Sequence, residues 1–236
     1  MFCCGYCTPE EEDSQDATSS KKNNSSLGKK MPMKLYYFDG RGTGEAIRQV
    51  FKLAGEDFED VRFSMDEWPK HKADMPFGQI PVLEVDGMMI PQSAAIGRYV
   101  AKKFGLAGKT PTDQAWVDAC VDQFKDHYTE INKWYYTALG FANHGDKESL
   151  YKSVYEPARD KFYDFLQKRL KKNGSGFLVG NSATWADLLI ADHMHTILQL
   201  KPDTLQRFPE MLAFKKRVEE LPQIKKWIAT RPKTPF

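Results

Sequence analysis

The spacing of the apolar residues changes once along this chain, near Gly108, and that change constrains the fold more than any other feature. Before it, strand-like runs alternate with helix-like stretches. Met33 to Phe38 is an apolar, aromatic strand signal. Asp39 to Gly44 is a Gly-rich turn, after which Ile47, Val50, Phe51 and Ala54 recur at helical spacing up to Gly55. A second short strand carries Phe58 and Val61, and Trp68-Pro69 opens a brief polar segment. A third strand spans Ile80 to Val85, and Asp86-Gly87 turns the chain back into Met88 to Ile90. Ser93 is expected to cap a helix bearing Ile96, Tyr99, Val100 and Phe104. After Gly108 every pattern has helical period, and Trp185 to Leu198 is apolar nearly all round, as a buried central helix should be. An order β-α-β-α-β-β-α followed by helices alone predicts a helix-covered sheet over residues 33–108. An all-helical domain follows over residues 109–236.

Residues 1–32 stand apart. They hold few large apolar side chains, with an acidic run from Glu10 to Asp16 and a Ser/Asn/Lys-rich run from Ser19 to Lys30, the composition of a disordered tail. Three of the four cysteines, Cys3, Cys4 and Cys7, lie in this tail and cannot staple a core, which excludes a disulfide framework. Cys4 and Cys7 form a C-x-x-C without the preceding strand and following helix that lower such a thiol's pKa, so the tail reads as simply exposed. Lys+Arg is 34 and Asp+Glu 32, a net charge of +2, which gives no electrostatic case for a nucleic-acid partner. No apolar run approaches the roughly 18 residues of a membrane span, and no signal-peptide stretch is evident. The expectation is a cytoplasmic protein without stable membrane association. Gly40-x-Gly42 imitates a dinucleotide fingerprint, but its third position is Glu45, whose carboxylate would repel a pyrophosphate.

Several residues suit one small peptide ligand bearing a thiol and two carboxylates. Tyr36 and Tyr37 must point to opposite faces of their strand. One is then core-facing and the other stands near the Gly-rich turn. A tyrosine hydroxyl can donate to a thiolate. Lowering a free thiol from about 8.5 by ~2 units needs about 2.7 kcal/mol, and a charge-assisted hydrogen bond supplies about 1.5–3 kcal/mol. Pro81 inside a strand signal is either an edge-strand proline or a cis X-Pro that frees the Ile80 backbone for an extended peptide. Gln92-Ser93 offers a helix N-terminus to a carboxylate, while Ser93 serves equally as a plain cap. Trp68 and Lys72, four apart, share a face if helical and could grip a second carboxylate; otherwise they are surface residues. Asp118, Asp122 and Asp126 form one acidic stripe, mildly self-repulsive, that a partner or ligand would relieve. Thr184 and Asp187 form a capping-box variant for the buried helix, worth about 0.5–2 kcal/mol.

The segments KLYYF-DGRGTGE, EWPKHK, PFGQIPVLEVDG, PQSAAIGRYVAKKFGLAGKT and GNSATWAD together resemble the cytosolic glutathione transferases over about residues 33–236. The sigma class, which includes the glutathione-dependent prostaglandin D synthases, is the nearest likeness. The resemblance implies a thioredoxin-like first domain, an all-α second domain and a homodimer. It makes Tyr37 the thiolate-stabilising residue and Pro81 cis. It implies that Trp68, Lys72, Gly78, Gln79, Ile80, Pro81, Gln92 and Ser93 hold glutathione as co-substrate, with Asp126 contributed by the partner subunit and no metal. Phe38, Thr43, Tyr128 and Trp134 would line the site for a small hydrophobic electrophile. The vertebrate prostaglandin synthases carry Arg where this chain has Thr43 and an acidic residue where it has Lys125. Conjugation is therefore expected before prostaglandin H isomerisation. A catalytically silent, crystallin-like structural relative is the alternative outside the enzymes, and Tyr37 with Gln92-Ser93 argues against it. A thioredoxin-type reductase would need cysteines at positions 40–44, where there are none.

Overall fold

A computed structural model describes residues 32–234 and 236. The tail reading concerns residues 1–32, of which 1–31, with the C-x-x-C, lie outside the described residues. Four strands, β1 (Lys34–Phe38), β2 (Glu59–Phe63), β3 (Val82–Val85) and β4 (Met88–Pro91), form one sheet in the order β2-β1-β3-β4. β1 pairs parallel with β2 and antiparallel with β3, and β3 pairs antiparallel with β4. The parallel pair needs a crossover, which α1 (Glu45–Ala54) supplies. The β3–β4 hairpin turns on Asp86 and Gly87, both at positive φ (48° and 81°), the geometry that favours Asp-Gly in two-residue turns. The third strand starts at Val82 rather than at Ile80: Pro81 has no N–H for the ladder, and the Ile80–Pro81 bond is cis.

Two further helices belong to this part, the short α2 (Trp68–His71) and α3 (Ser93–Lys103). Beyond Gly108 come α4 (Pro111–Glu130), α5 (Asn132–Ala138), α6 (Lys147–Leu150), α7 (Glu156–Asn173), α8 (Trp185–Leu200), α9 (Pro209–Glu219) and α10 (Pro222–Thr230). A π-helical segment, Tyr151–Tyr155, joins α6 to α7. Among the described residues no helix is long and apolar enough to cross a membrane.

The main apolar core runs across the change of period at Gly108. Leu35, Ile47, Val50 and Phe51 from the sheet side pack in one cluster with Val117, Phe162, Trp185, Met194 and Phe214 from the helices. α1 touches α3, α8 and α10, so it is the hinge of the packing. α8 is buried around most of its circumference, as its apolar sequence requires. At its start Asp187 accepts the Thr184 N–H and hydroxyl on Oδ2 (both 2.7 Å) and the Leu178 N–H on Oδ1 (2.8 Å).

Two expectations change here. Two of the three acidic residues on α4 are relieved within the chain: Arg98 of α3 reaches Asp118 at 2.7 Å and Asp122 at 3.6 Å, while Asp126 lies beyond it. Nor does Ser93 cap α3. Gln92 holds the cap position, Ser93 is the first helical residue, and no side chain caps that end.

Candidate active site

Burial alternates along β1, with Leu35 and Tyr37 inside. Tyr36 points to the other face, where its hydroxyl donates to Glu84 at 2.6 Å. The expected choice between a core tyrosine and a turn tyrosine is therefore false. Tyr37 is both: its ring is buried, 8% exposed, and its hydroxyl reaches the Gly-rich turn. There it accepts the Thr43 N–H at 3.0 Å and the Thr43 hydroxyl at 3.1 Å. With its oxygen supplied with two donors, the phenol keeps its own proton to give. Burial raises the Tyr37 pKa above its ordinary value, while the two Thr43 bonds and the nearby Arg48 charge pull it back. The phenol thus stays protonated at neutral pH, as a donor to a thiolate must.

The turn admits this contact because Gly42 and Gly44 carry no side chains. A β-carbon on either would run into Tyr37, and Gly42 also stands at φ +39°.

Residues of this turn line two hollows. One, of about 100 Å³, is lined by Thr43, Gln79, Ile80, Pro81, Gln92 and Ser93, together with Phe77 and Pro91. It gathers five of the sequence-derived glutathione residues. Gln92 stands at φ 75°, ψ 115°, a strained backbone for a residue with a side chain, and such strain concentrates at ligand sites. The uncapped first turn of α3 opens beside it, suited to an anionic group. Gly78 precedes at φ +58°, and a β-carbon there would lie 3.6 Å from the Lys72 side chain, so Lys72 lies along this loop. Trp68 packs edge-on to Phe38, ring centres 5.6 Å apart. Trp68 and Lys72 do not share one helix; α2 ends at His71 and Lys72 opens a 3₁₀ turn. Asp126 is exposed on α4, near Lys161, and lines neither hollow.

The other hollow, of about 390 Å³, is walled by Tyr37, Phe38, Phe63, Tyr128, Tyr135, Tyr136, Leu139, Phe141 and Phe236. Phe38 and Tyr128 stand where expected. Trp134 does not: it is 1% exposed, packed on Tyr155 with ring centres 4.1 Å apart. Its neighbours Tyr135 and Tyr136 face the cavity instead. Thr43 is no wall of this cavity either; it lies in the polar hollow and holds Tyr37. Phe63, Met65, Phe141 and Phe236 were not singled out by sequence, since apolar residues in a strand, a loop and the last position carry no local sign of a shared cavity.

The Tyr37–Thr43 hydrogen bonds link a residue of the aromatic cavity to one of the polar hollow, and the chain as a whole is similar to known proteins. Residues 21–102 match the family "Glutathione S-transferase, N-terminal domain", and residues 125–231 match "Glutathione S-transferase, C-terminal domain". Glutathione S-transferase 1 of Ascaris suum is 50% identical over 203 residues, 86% of this chain and 98% of its own length. The chain belongs to the glutathione S-transferase family. Solved transferases bear out the fold: a nu-class enzyme from Haemonchus contortus is 52% identical, TM-score 0.80, covering 86% of this chain and 98% of its own. A Necator americanus transferase described as monomeric is 51% identical, TM-score 0.84, covering 87% and 100%. The prostaglandin synthase D of Nilaparvata lugens is 31% identical, TM-score 0.77, covering 86% and 100%. This transferase therefore has the family's mixed four-stranded sheet with helices, followed by a helical part, and belongs among enzymes that use glutathione.

Proposed function

We propose that this transferase joins the glutathione thiol to small apolar electrophiles in the cytoplasm, with Tyr37 donating a hydrogen bond to the sulfur. The observation that carries this reading is the Tyr37 hydroxyl. It accepts two bonds from Thr43, keeps its proton, and lies in the wall of the aromatic cavity while Thr43 lines the polar hollow. Residues 33–108 form the glutathione-binding domain and residues 109–236 the helical one. Trp68, Lys72, Gly78, Gln79, Ile80, Pro81, Gln92 and Ser93 hold the tripeptide. The thiol proton leaves to solvent, and the sulfur's electron pair bonds the electrophile's carbon. A leaving group departs, or an added proton completes the adduct. Proximity in the cavity supplies much of the remaining rate. No metal takes part.

A second copy of the chain is part of the proposal, bringing Asp126 to the ammonium of glutathione. Sedimentation that gives a clean monomer with full activity removes that assignment.

Tyr37→Phe tests the core of the reading. Turnover of a nitroaryl halide should fall by about 10–100-fold at neutral pH, through loss of a thiolate stabilisation worth one to two pKa units. The ultraviolet thiolate absorbance of bound glutathione should fall with it. Unchanged turnover and absorbance would remove Tyr37 from the chemistry.

Isomerisation of prostaglandin H, with membership of the sigma class, is the second reading. It draws on the likeness to the Nilaparvata lugens synthase, at 31% identity against 52% for the nu-class enzyme. Including prostaglandin H in the substrate panel separates the two.

A further inference from the structure

Arg48 lies one turn into α1, fully buried, and makes more contacts toward Tyr37 than a helix anchor requires. Its Nη1 donates to the Gly40 carbonyl at 2.6 Å and its Nη2 to the Phe38 carbonyl at 3.3 Å. These carbonyls belong to the end of β1 and to the turn that delivers Thr43 to the phenol. Its guanidinium carbon stands 5.6 Å from the centre of the Tyr37 ring. We propose that Arg48 is a positioning residue for Tyr37: it fixes the Gly40–Thr43 turn and sets a permanent positive charge behind the phenol, strengthening its hydrogen bond to the glutathione sulfur. This rests on Tyr37 being the thiolate-stabilising residue.

The charge is compensated from known directions. On α1, Glu45 lies 3.4 Å from Arg48 Nη1; from β2, Asp60 accepts the Nε–H at 2.9 Å and is itself paired with Arg62 at 2.8 Å. Glu45 also accepts Arg231 and the Trp227 indole, both at 2.7 Å, and Arg231 continues to Asp192 of α8 at 3.1 Å, where Arg41 also pairs at 3.5 Å. Tyr136 faces Tyr37 from the cavity side. The field felt by the phenol is therefore that of Arg48 less its two carboxylate partners, and removing one kind of group or the other must act in opposite senses.

The test titrates the thiol of bound glutathione by its ultraviolet thiolate absorbance. The acid limb of kcat/KM is measured alongside, in the whole protein and in Arg48→Met, Arg48→Lys and Asp60→Asn. Arg48→Met should raise the apparent thiol pKa by about one unit, the shift typical of a lost neighbouring charge. Arg48→Lys, which keeps the charge but not the fork, should raise it less. Asp60→Asn should lower it, because the guanidinium is then less compensated. A purely architectural role predicts weaker binding or stability in all variants with no such reversal of sign. A rise or no change in Asp60→Asn, or a folded Arg48→Met that titrates as the parent does, overturns the proposal. Should Arg48→Met not fold, by circular dichroism, Asp60→Asn decides alone. Tyr37→Phe run beside them keeps two failures apart. If it leaves the absorbance intact, the assignment of Tyr37 falls. If it abolishes the absorbance while the other variants do not shift, only the role of Arg48 falls.

Discussion

Gly44 is the most exacting residue of the site after Tyr37 itself. Its backbone is ordinary, φ −82° and ψ −24°, so no left-handed turn demands glycine there. What demands it is the Tyr37 ring, whose Cδ1 would lie 2.5 Å from an added β-carbon. Gly44→Ala must push the ring or the turn aside, at an overpacking cost of about 1–3 kcal/mol. The expected result is a folded transferase whose bound thiol titrates upward and whose turnover drops, read by urea denaturation beside the thiolate absorbance. The sequence displayed the glycines as a turn, but a turn accounts for Gly42 and leaves Gly44 unexplained. Only the ring lying over it supplies the reason. Thr43 repeats the lesson: the family resemblance implies an electrophile wall there, and in space its N–H and hydroxyl both bond the Tyr37 oxygen.

Among the elements, the pairing of α3 with α8 shows how local and distant causes divide. The start of α8 was legible, because a Thr followed three residues later by Asp is a local hydrogen-bonding pattern. The close approach of α3 was not. Gly97 lies against the six-membered ring of Trp185, and a β-carbon there would fall 2.5 Å from Cζ3. Gly97→Ala should therefore destabilise by about 1–3 kcal/mol despite alanine's better helix propensity, which would otherwise favour it by up to ~1 kcal/mol. A shift of the urea midpoint to higher concentration would mean that the two helices can separate freely. On α5, Trp134 and Tyr135 are adjacent in sequence and about 100° apart around the helix. Which of them sees the cavity depends on how the helix is rotated against α4, α6 and the π-helical segment, and no neighbouring residue records that rotation.

At the scale of the molecule, two buried imidazoles tie stability to acid. His127 stacks on Phe162 at 4.2 Å, and His193 lies 5.5 Å from it, edge to face. Burial pushes His127 down to about 3 and His193 well below the ordinary imidazole value, and the nearby Lys161 charge adds to the first. Both pKa values are lowered in the folded state, so the unfolded chain binds the protons first. The contribution of His127 is then complete above about pH 6.5 and is lost as pH falls from there toward 3, at about 1.4 kcal/mol per pH unit. His127→Phe should flatten the acid side of the stability profile relative to the parent. Urea midpoints at pH 7 and pH 5 measure the difference; equal slopes in the two proteins would show that His127 is not held neutral.

The chain's own order determined the elements, their sequence, the change from mixed to helical structure and the strand tyrosines beside a Gly-rich turn. All of these follow from the period of burial within a few consecutive residues, and a segment carries its own period. The fold decided that Tyr37 rather than Tyr36 looks inward, that Thr43 and Arg48 flank it, and that Tyr135 and Tyr136 replace Trp134 in the cavity wall. Each of those depends on which distant surface a segment meets and at what rotation. Close packing of the whole core fixes that choice, because one methyl group out of place at the α3–α8 or Tyr37–Gly44 contact already costs about 1–3 kcal/mol.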